Sequence, residues 1–150
     1  MRVIAIGRAG ANASESALFA RYAARIKLGL VELPDGHGSP GEIKRREAEA
    51  ILSAVSPAEF LVALDTGGIT PDSLELATLL TKWTESSKKL AFIIGGAEGL
   101  DATVIARANA ILSLGRLTWP HQLARAMLAE QLYRARMIST GHPYHRAGRP

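Results

Sequence analysis

Leu90-Ala91-Phe92-Ile93-Ile94-Gly95-Gly96-Ala97-Glu98-Gly99 decides the fold class of this chain. Five apolar residues without polar alternation mark a strand buried on both faces, the situation of parallel sheets covered by helices. The run breaks at adjacent glycines, where backbone can turn sharply and a ligand can approach closely. A second strand of the same kind, Phe60-Leu61-Val62-Ala63-Leu64, ends at Asp65. These two strands are expected at the centre of a sheet.

Outward from this pair, strand-like and helix-like segments alternate. Arg2 to Ile6 reads as the first strand, stopped by Gly7. A helix is expected from a Ser14 cap to about Ile26, with Ala17, Leu18, Tyr22 and Ile26 on one face. Leu28 to Leu33 reads as a short strand, and His37 to Gly41 as a mobile Gly/Ser/Pro loop. A charged helix follows from Glu42 to about Val55; its Lys44-Arg45-Arg46 is flanked by Glu42, Glu47 and Glu49 and reads as a wet face. Thr70-Pro71 supplies a hydroxyl cap and a first-turn proline for a helix to about Glu85. A short helix from Asp101 to about Ala108, a strand near Ala110 to Leu114, and a long helix from Pro120 to about Ile138 precede the tail Ser139 to Pro150. The expected class is α/β: one domain with a mainly parallel sheet of five or six strands and helices on both faces. Ligands of such sheets bind outside the carboxyl ends of the strands, here Leu64-Asp65, Gly95-Gly96 and Leu114 to Trp119.

Bulk composition bounds the function. With 150 residues, 47% of them hydrophobic and 21% charged, the chain can bury a proper core. The absence of cysteine excludes disulfides and thiolate metal sites. No apolar run approaches the roughly 18 residues of a membrane helix, and no signal peptide is evident, so a soluble cytoplasmic protein is expected. Charge is asymmetric. Asp101 to Pro150 holds seven arginines, no lysine and two acids, while the first 100 residues are nearly balanced. Arginine's planar fork suits phosphates, and it is interleaved here with His121, Tyr133, His142, Tyr144 and His145. Polyanion recognition, above all of nucleic acid, is the first expectation.

Individual motifs stay open at this level. The glycine loop is either a tight strand-to-helix turn or a ligand cradle; it matches neither a dinucleotide fingerprint nor a P-loop. His142-Pro143-Tyr144-His145 lacks a nearby carboxylate, and no metal is expected there. His121 and Arg125 share a helix face, whereas Glu130 and Arg134 are spaced for a salt bridge. Leu123, Met127, Leu128, Leu132 and Ala135 form an apolar face that must bury against something.

Taken together, Leu64-Asp65, Ile94-Gly95-Gly96-x-Glu98-Gly99, Leu117-Thr118-Trp119-Pro120-His121-Gln122, Glu130-Gln131-x-Tyr133-Arg134-Ala135 and His142-Pro143-Tyr144-His145-Arg146 closely resemble the ribosomal RNA large subunit methyltransferase H family, small SPOUT-class enzymes. The likeness covers the whole chain and is most specific from Phe60 onward. It implies a C-terminal trefoil knot and a homodimer. It also implies methylation of N3 of a pseudouridine in large-subunit ribosomal RNA, within the assembled ribosome, with S-adenosylmethionine as cofactor. By position, the cofactor would be held by Leu64, Gly95, Leu114, Gly115, Arg116, Leu117, Thr118 and Trp119. Arg125 is a candidate to hold a phosphate or a developing oxyanion, and His121, His142 and His145 are candidate bases. Tyr144 is placed to stack on the target base, and Arg134 and Arg146 to bind RNA. The tail of one subunit would close over the cofactor of the other, with the apolar face of the long helix in the interface. Ile69 departs from the family pattern, where a lysine or arginine is common. The alternative is a non-catalytic RNA- or ribosome-binding factor using the same basic end; a metabolite enzyme would leave that end idle.

Overall fold

The protein is described by a computed structural model covering residues 1–10, 13–86 and 89–146. Its strands are β1 (Arg2–Ile6), β2 (Gly29–Leu33), β3 (Phe60–Ile69), β4 (Leu90–Ile94) and β5 (Ala110–Leu112). Its helices are α1 (Ser14–Ile26), α2 (Pro40–Ala54), α3 (Ser73–Ser86), α4 (Ala102–Arg107) and α5 (His121–Ser139). The strands pair in the order β2-β1-β4-β3-β5, and every pairing is parallel.

The unbroken apolar run takes the centre, because β4 packs against helices on both faces along its whole length. Leu90, Phe92 and Ile94 point into the core shared with α1, α3 and α5, whereas Ala91 and Ile93 point toward α2 and α4. Burying each large apolar side chain there contributes about 1.5–3 kcal/mol relative to leaving it in water. Trp83 of α3 sits between Phe60 and Phe92, with ring centroids 5.9 and 6.5 Å away. This aromatic row fixes α3 over the β3–β4 seam. Helix α5 leaves β5 at the sheet edge and returns to pack between α1 and α3. That path is consistent with the trefoil knot the family resemblance implies. Part of the apolar face of α5 is therefore used within the chain: Leu128, Leu132 and Ala135 are buried against α1 and α3, so these three are not available to the subunit interface expected from the sequence, whereas Leu123 and Met127 are half-buried.

Several boundaries differ from the sequence reading, each for a local reason. The segment expected to be a loop at His37 to Gly41 is partly helical. Ser39 donates from its backbone N–H and its hydroxyl to Glu42 Oε2, at 2.9 and 2.7 Å, and Pro40 opens the helix. Helix α3 starts at Ser73 because Asp72, not Thr70, caps it. The Asp72 carboxylate accepts from Leu74 and Glu75 N–H, while Glu75 accepts from Asp72 N–H, each at 2.8 Å. A carboxylate accepting two amides outcompetes a single hydroxyl. Helix α1 has Ala13 at its N-cap and no side-chain cap, so Ser14 lies inside the first turn. Strand β5 stops at Leu112, and β3 continues past Leu64 to Ile69 through a bulge in which Leu64 and Ile69 both pair with Leu112. Asp65 Oδ1 holds that bulge by accepting from Gly67 N–H at 2.8 Å. The last tail residues, Arg149 among them, lie outside the described residues. Among the described residues, no helix is long and apolar enough to cross a membrane.

Gly68 is where β3 runs closest to its neighbour. A Cβ there would lie 2.7 Å from the Ile111 carbonyl carbon and oxygen, and 2.8 Å from that of Leu112, all of it backbone. Gly68→Ala is expected to destabilise the protein by about 1–3 kcal/mol in urea unfolding. Gly67→Ala, whose Cβ would meet only Asp65 Oδ1 at 3.2 Å, loses less in the same measurement.

Candidate active site

Three loops at the carboxyl edge of the sheet enclose a cavity of about 620 Å³. They follow β3 (Leu64 to Thr66), β4 (Gly95 to Leu100) and β5 (Ser113 to Trp119), and the first turn of α5 closes the far wall with Pro120, His121 and Ala124. The volume lies within the usual range for a small-molecule site. Each loop is braced by its own atoms. Gly99 N–H donates to Gly96 O at 3.1 Å, so the glycine loop is a tight turn and a cavity wall at once. The Ser113 hydroxyl donates to Gly115 O at 3.0 Å and accepts from Gly115 N–H at 3.2 Å, and the Trp119 indole N–H donates to Leu114 O at 3.3 Å. Gly115 adopts φ +107°, which an L side chain resists.

Most of the sequence-level cofactor residues meet here. Leu64, Gly95, Leu114, Gly115, Leu117, Thr118 and Trp119 all line the cavity; Arg116 is exposed and does not. Of the residues expected to act on substrate, His121 alone lines it. Ser113, Leu100 and Ala124 also line it and went unremarked in the sequence, Leu100 and Ser113 because their side chains are buried.

Arg125 has a different place from the one expected. It is 2% exposed, and its guanidinium donates to Ile6 O at 2.6 Å, Gly7 O at 2.7 Å and Glu32 Oε1 at 2.7 Å. Such a group cannot reach a phosphate or a substrate oxyanion. It pins the first turns of α5 to the ends of β1 and β2, and Glu32 Oε1 also accepts from Ala9 N–H at 2.8 Å. His121, one turn earlier on the same helix, is held beside Gly7: a Cβ on Gly7 would lie 3.1 Å from both His121 Nε2 and Asp35 Oδ1.

The tail candidates gather elsewhere. The Tyr144 hydroxyl donates to Glu130 Oε1 at 3.0 Å, its ring meets Tyr133 edge-on at 4.7 Å, and the Arg134 guanidinium lies over it at 5.1 Å. Arg134 also pairs with Glu130 at 2.5 Å, the salt bridge that the spacing allowed. Burial, followed by hydrogen bonding with Tyr22 and Glu130, raises the Tyr144 hydroxyl above the ordinary tyrosine range. His142 and Arg146 are exposed, while His145 Nδ1 is shielded from water without a partner. None of these five residues lines the cavity of its own chain. Among the described residues, no group of three or more His, Asp or Glu side chains could hold a metal ion.

With this geometry in place, comparison with known proteins assigns the chain. The family model described as "Predicted SPOUT methyltransferase" matches residues 1–145. The chain belongs to the SPOUT methyltransferase family. It is 59% identical to the ribosomal RNA large subunit methyltransferase H of Acidiphilium cryptum, covering 100% of this chain and 96% of that one. It is 57% identical to the protein of the same name from Gluconacetobacter diazotrophicus, covering 100% and 99%. Among solved structures, a probable methyltransferase from Bordetella pertussis Tohama I superposes with a TM-score of 0.59 at 18% identity, over 89% of this chain and 94% of that one. A probable methylase family protein from Haemophilus influenzae gives 0.58 at 14% identity, over 93% and 66%. These two share the fold, and the family makes the braced cavity the candidate site of methyl transfer.

Two outcomes follow from the site's supports. Arg125→Ala would leave two buried carbonyls without donors, and is expected to cost on the order of 3–5 kcal/mol in chemical denaturation; Arg125→Lys, lacking the fork, recovers only part of it. For Tyr144, the folded hydroxyl titrates above its unfolded value. Its contribution is therefore complete below the ordinary tyrosine range and is lost as pH rises through that range and beyond. Alkaline unfolding of the wild type should begin at lower pH than expected for Tyr144→Phe, which has no proton to lose; circular dichroism against pH checks it.

Proposed function

We propose that the chain is an S-adenosylmethionine-dependent methyltransferase that methylates N3 of a pseudouridine in large-subunit ribosomal RNA, on the assembled ribosome, as a cytoplasmic homodimer. The observation that carries this reading is the convergence of the β3, β4 and β5 loops on one cavity, in a chain 59% identical to a protein of that name. The residues present suit the donor. Leu64, Ile94, Leu100 and Leu112 give apolar walls for a purine, and the backbone of the three loops offers donors and acceptors for its edge. A side chain at Gly95 is excluded by Leu100, whose Cδ2 lies 2.9 Å from the Cβ position, so bare backbone lines the cavity there.

When bound, S-adenosylmethionine supplies an electrophilic methyl group on a sulfonium. The acceptor begins as an imide N–H, so its lone pair becomes available only as the proton leaves. His121 is the imidazole at the cavity wall, and it accepts that proton. General-base help of this kind contributes about 10²–10⁴-fold. Holding acceptor and methyl group in line contributes more, up to roughly 7–11 kcal/mol in favourable systems. His142, Tyr144, His145, Arg134 and Arg146 cluster away from their own chain's cavity. In the homodimer this cluster acts on the partner's site, where the exposed Arg146 meets a phosphate while Glu130, Tyr133 and Arg134 hold the Tyr144 ring in place. Leu117, 68% exposed, and Trp119, 36% exposed, give the cavity rim an apolar surface suited to being covered. A ribosome-binding factor without catalysis would share the basic tail but have no use for the braced cavity.

Isothermal titration separates the two. Wild-type protein is expected to bind S-adenosylmethionine, and Thr118→Trp, which fills the cavity mouth, should weaken binding by at least about tenfold with an unchanged melting temperature. Mass spectrometry of ribosomal RNA from cells lacking this chain should show one pseudouridine short of a methyl group. Folded wild-type protein that binds no donor would end the enzymatic reading.

A further inference from the structure

Helix α2 carries an anomaly on its buried face. Glu47 lies there with Ala48 and Ile51, only 5% exposed. One carboxylate oxygen, Oε1, accepts from Gly36 N–H at 3.1 Å. The other, Oε2, is sealed from water and has no hydrogen-bond donor among the described residues. The ion pairs among the described residues are Arg2–Glu59, Arg125–Glu32 and Arg134–Glu130, so Glu47 has no cationic partner there. A buried carboxylate oxygen without a donor is costly, so its place in the fold calls for an explanation.

Its location says which charge. Gly96 is part of the cavity wall, and a Cβ on Gly96 would lie 2.8 and 2.9 Å from the two Glu47 oxygens. The carboxylate therefore sits directly behind the glycine loop, against the wall of the cavity, in the room that a side chain at position 96 would fill. We infer that Glu47 is the buried counter-charge of the methyl-donor site: it selects the cationic sulfonium donor over its neutral thioether product. This rests on the S-adenosylmethionine reading above and adds a specificity residue to it. The electrostatic logic is that transfer of the methyl group removes the positive charge from sulfur. A fixed negative charge behind the cradle then holds the donor more firmly than the product, which favours exchange after each turnover. The field acts through Gly96 without contact, and low-dielectric surroundings keep it from being screened.

The test is the ratio of two dissociation constants, measured by titration calorimetry with S-adenosylmethionine and with S-adenosylhomocysteine. Both ligands carry the same adenosine and amino-acid groups and differ in the methyl group and the charge it puts on sulfur, so a change of the ratio between the wild type and a neutral variant of Glu47 reports that charge. Glu47→Gln should lower donor affinity by about three- to tenfold and leave product affinity where it was. Glu47→Asp, which keeps the charge, should stay near the wild-type ratio. Glu47→Met serves as a second neutral variant should the amide prevent folding, and is expected to give the same change. Equal loss for both ligands would mean that Glu47 only supports the loop, and the inference fails. An unchanged ratio in a folded neutral variant overturns it as well. Wild-type protein that binds neither ligand overturns the donor site itself, a result distinct from either of those.

Discussion

One guanidinium holds the working edge of this protein together. In a parallel sheet the carbonyls at the carboxyl ends of strands run out of neighbours, and β1 leaves Ile6 O and Gly7 O in that position. Arg125 reaches in from α5 and satisfies both, with Glu32 of β2 supplying the counter-charge. The planar fork is what makes three acceptors accessible to one side chain. The consequence lies one turn away. His121, Pro120 and Ala124 can form a cavity wall only if the start of α5 is fixed against the sheet, and Arg125 is the tie that fixes it.

The rest of the site follows from topology. Because all five strands are parallel, every strand-to-helix loop emerges on one edge. From there α1, α3 and α5 turn to one face while α2 and α4 turn to the other, so loops from adjacent strands part and leave a crevice between them. The central strand β4 contributes the glycine turn, and β3 and β5 contribute the flanking loops. Side chains at Gly95 and Gly96 are excluded by Leu100 on one side and Glu47 on the other. The cradle is thus shaped by what packs behind it as much as by the residues that face a ligand.

Much of this was legible in the sequence, and the misses share a cause. Uninterrupted apolar strands such as Leu90 to Ile94 announce double burial, and the strand ends they imply located the cavity without any family knowledge. Arg125 was misread because its spacing from His121 says only that the two share a helix face, not which way that face points. The buried alternative had a signal: Ala124, Leu128 and Leu132 surround it at helical intervals, as Ala48 and Ile51 surround Glu47. Ionisable residues in the phase of a core stripe are either paired inside or functional, and sequence alone does not supply the partner. Glu32 lies 93 positions from Arg125, and no local pattern connects them. Capping was misjudged at Thr70 for a simpler reason, since Asp72 offered a stronger acceptor two residues later.

The charge asymmetry that first suggested a polyanion also changes meaning once the arginines are placed. Seven arginines occupy the last fifty positions, yet the six described ones are not one surface. Arg125 is internal, Arg134 is committed to Glu130 and the Tyr144 ring, and Arg107 leans on the carbonyls of Pro57 and Glu59 at 3.4 Å. Arg116, Arg136 and Arg146 are exposed and form no ion pair among the described residues. Phosphate attraction therefore rests on a few scattered side chains rather than on a continuous stripe. A handful of contacts gives modest affinity with a correspondingly shallow dependence on salt. Tyr144 shows how part of the tail is held in place beforehand. Its hydroxyl on Glu130 and its ring against Tyr133 bring the segment before Arg146 to a fixed place on α5, so less conformational freedom would be lost on binding a partner there.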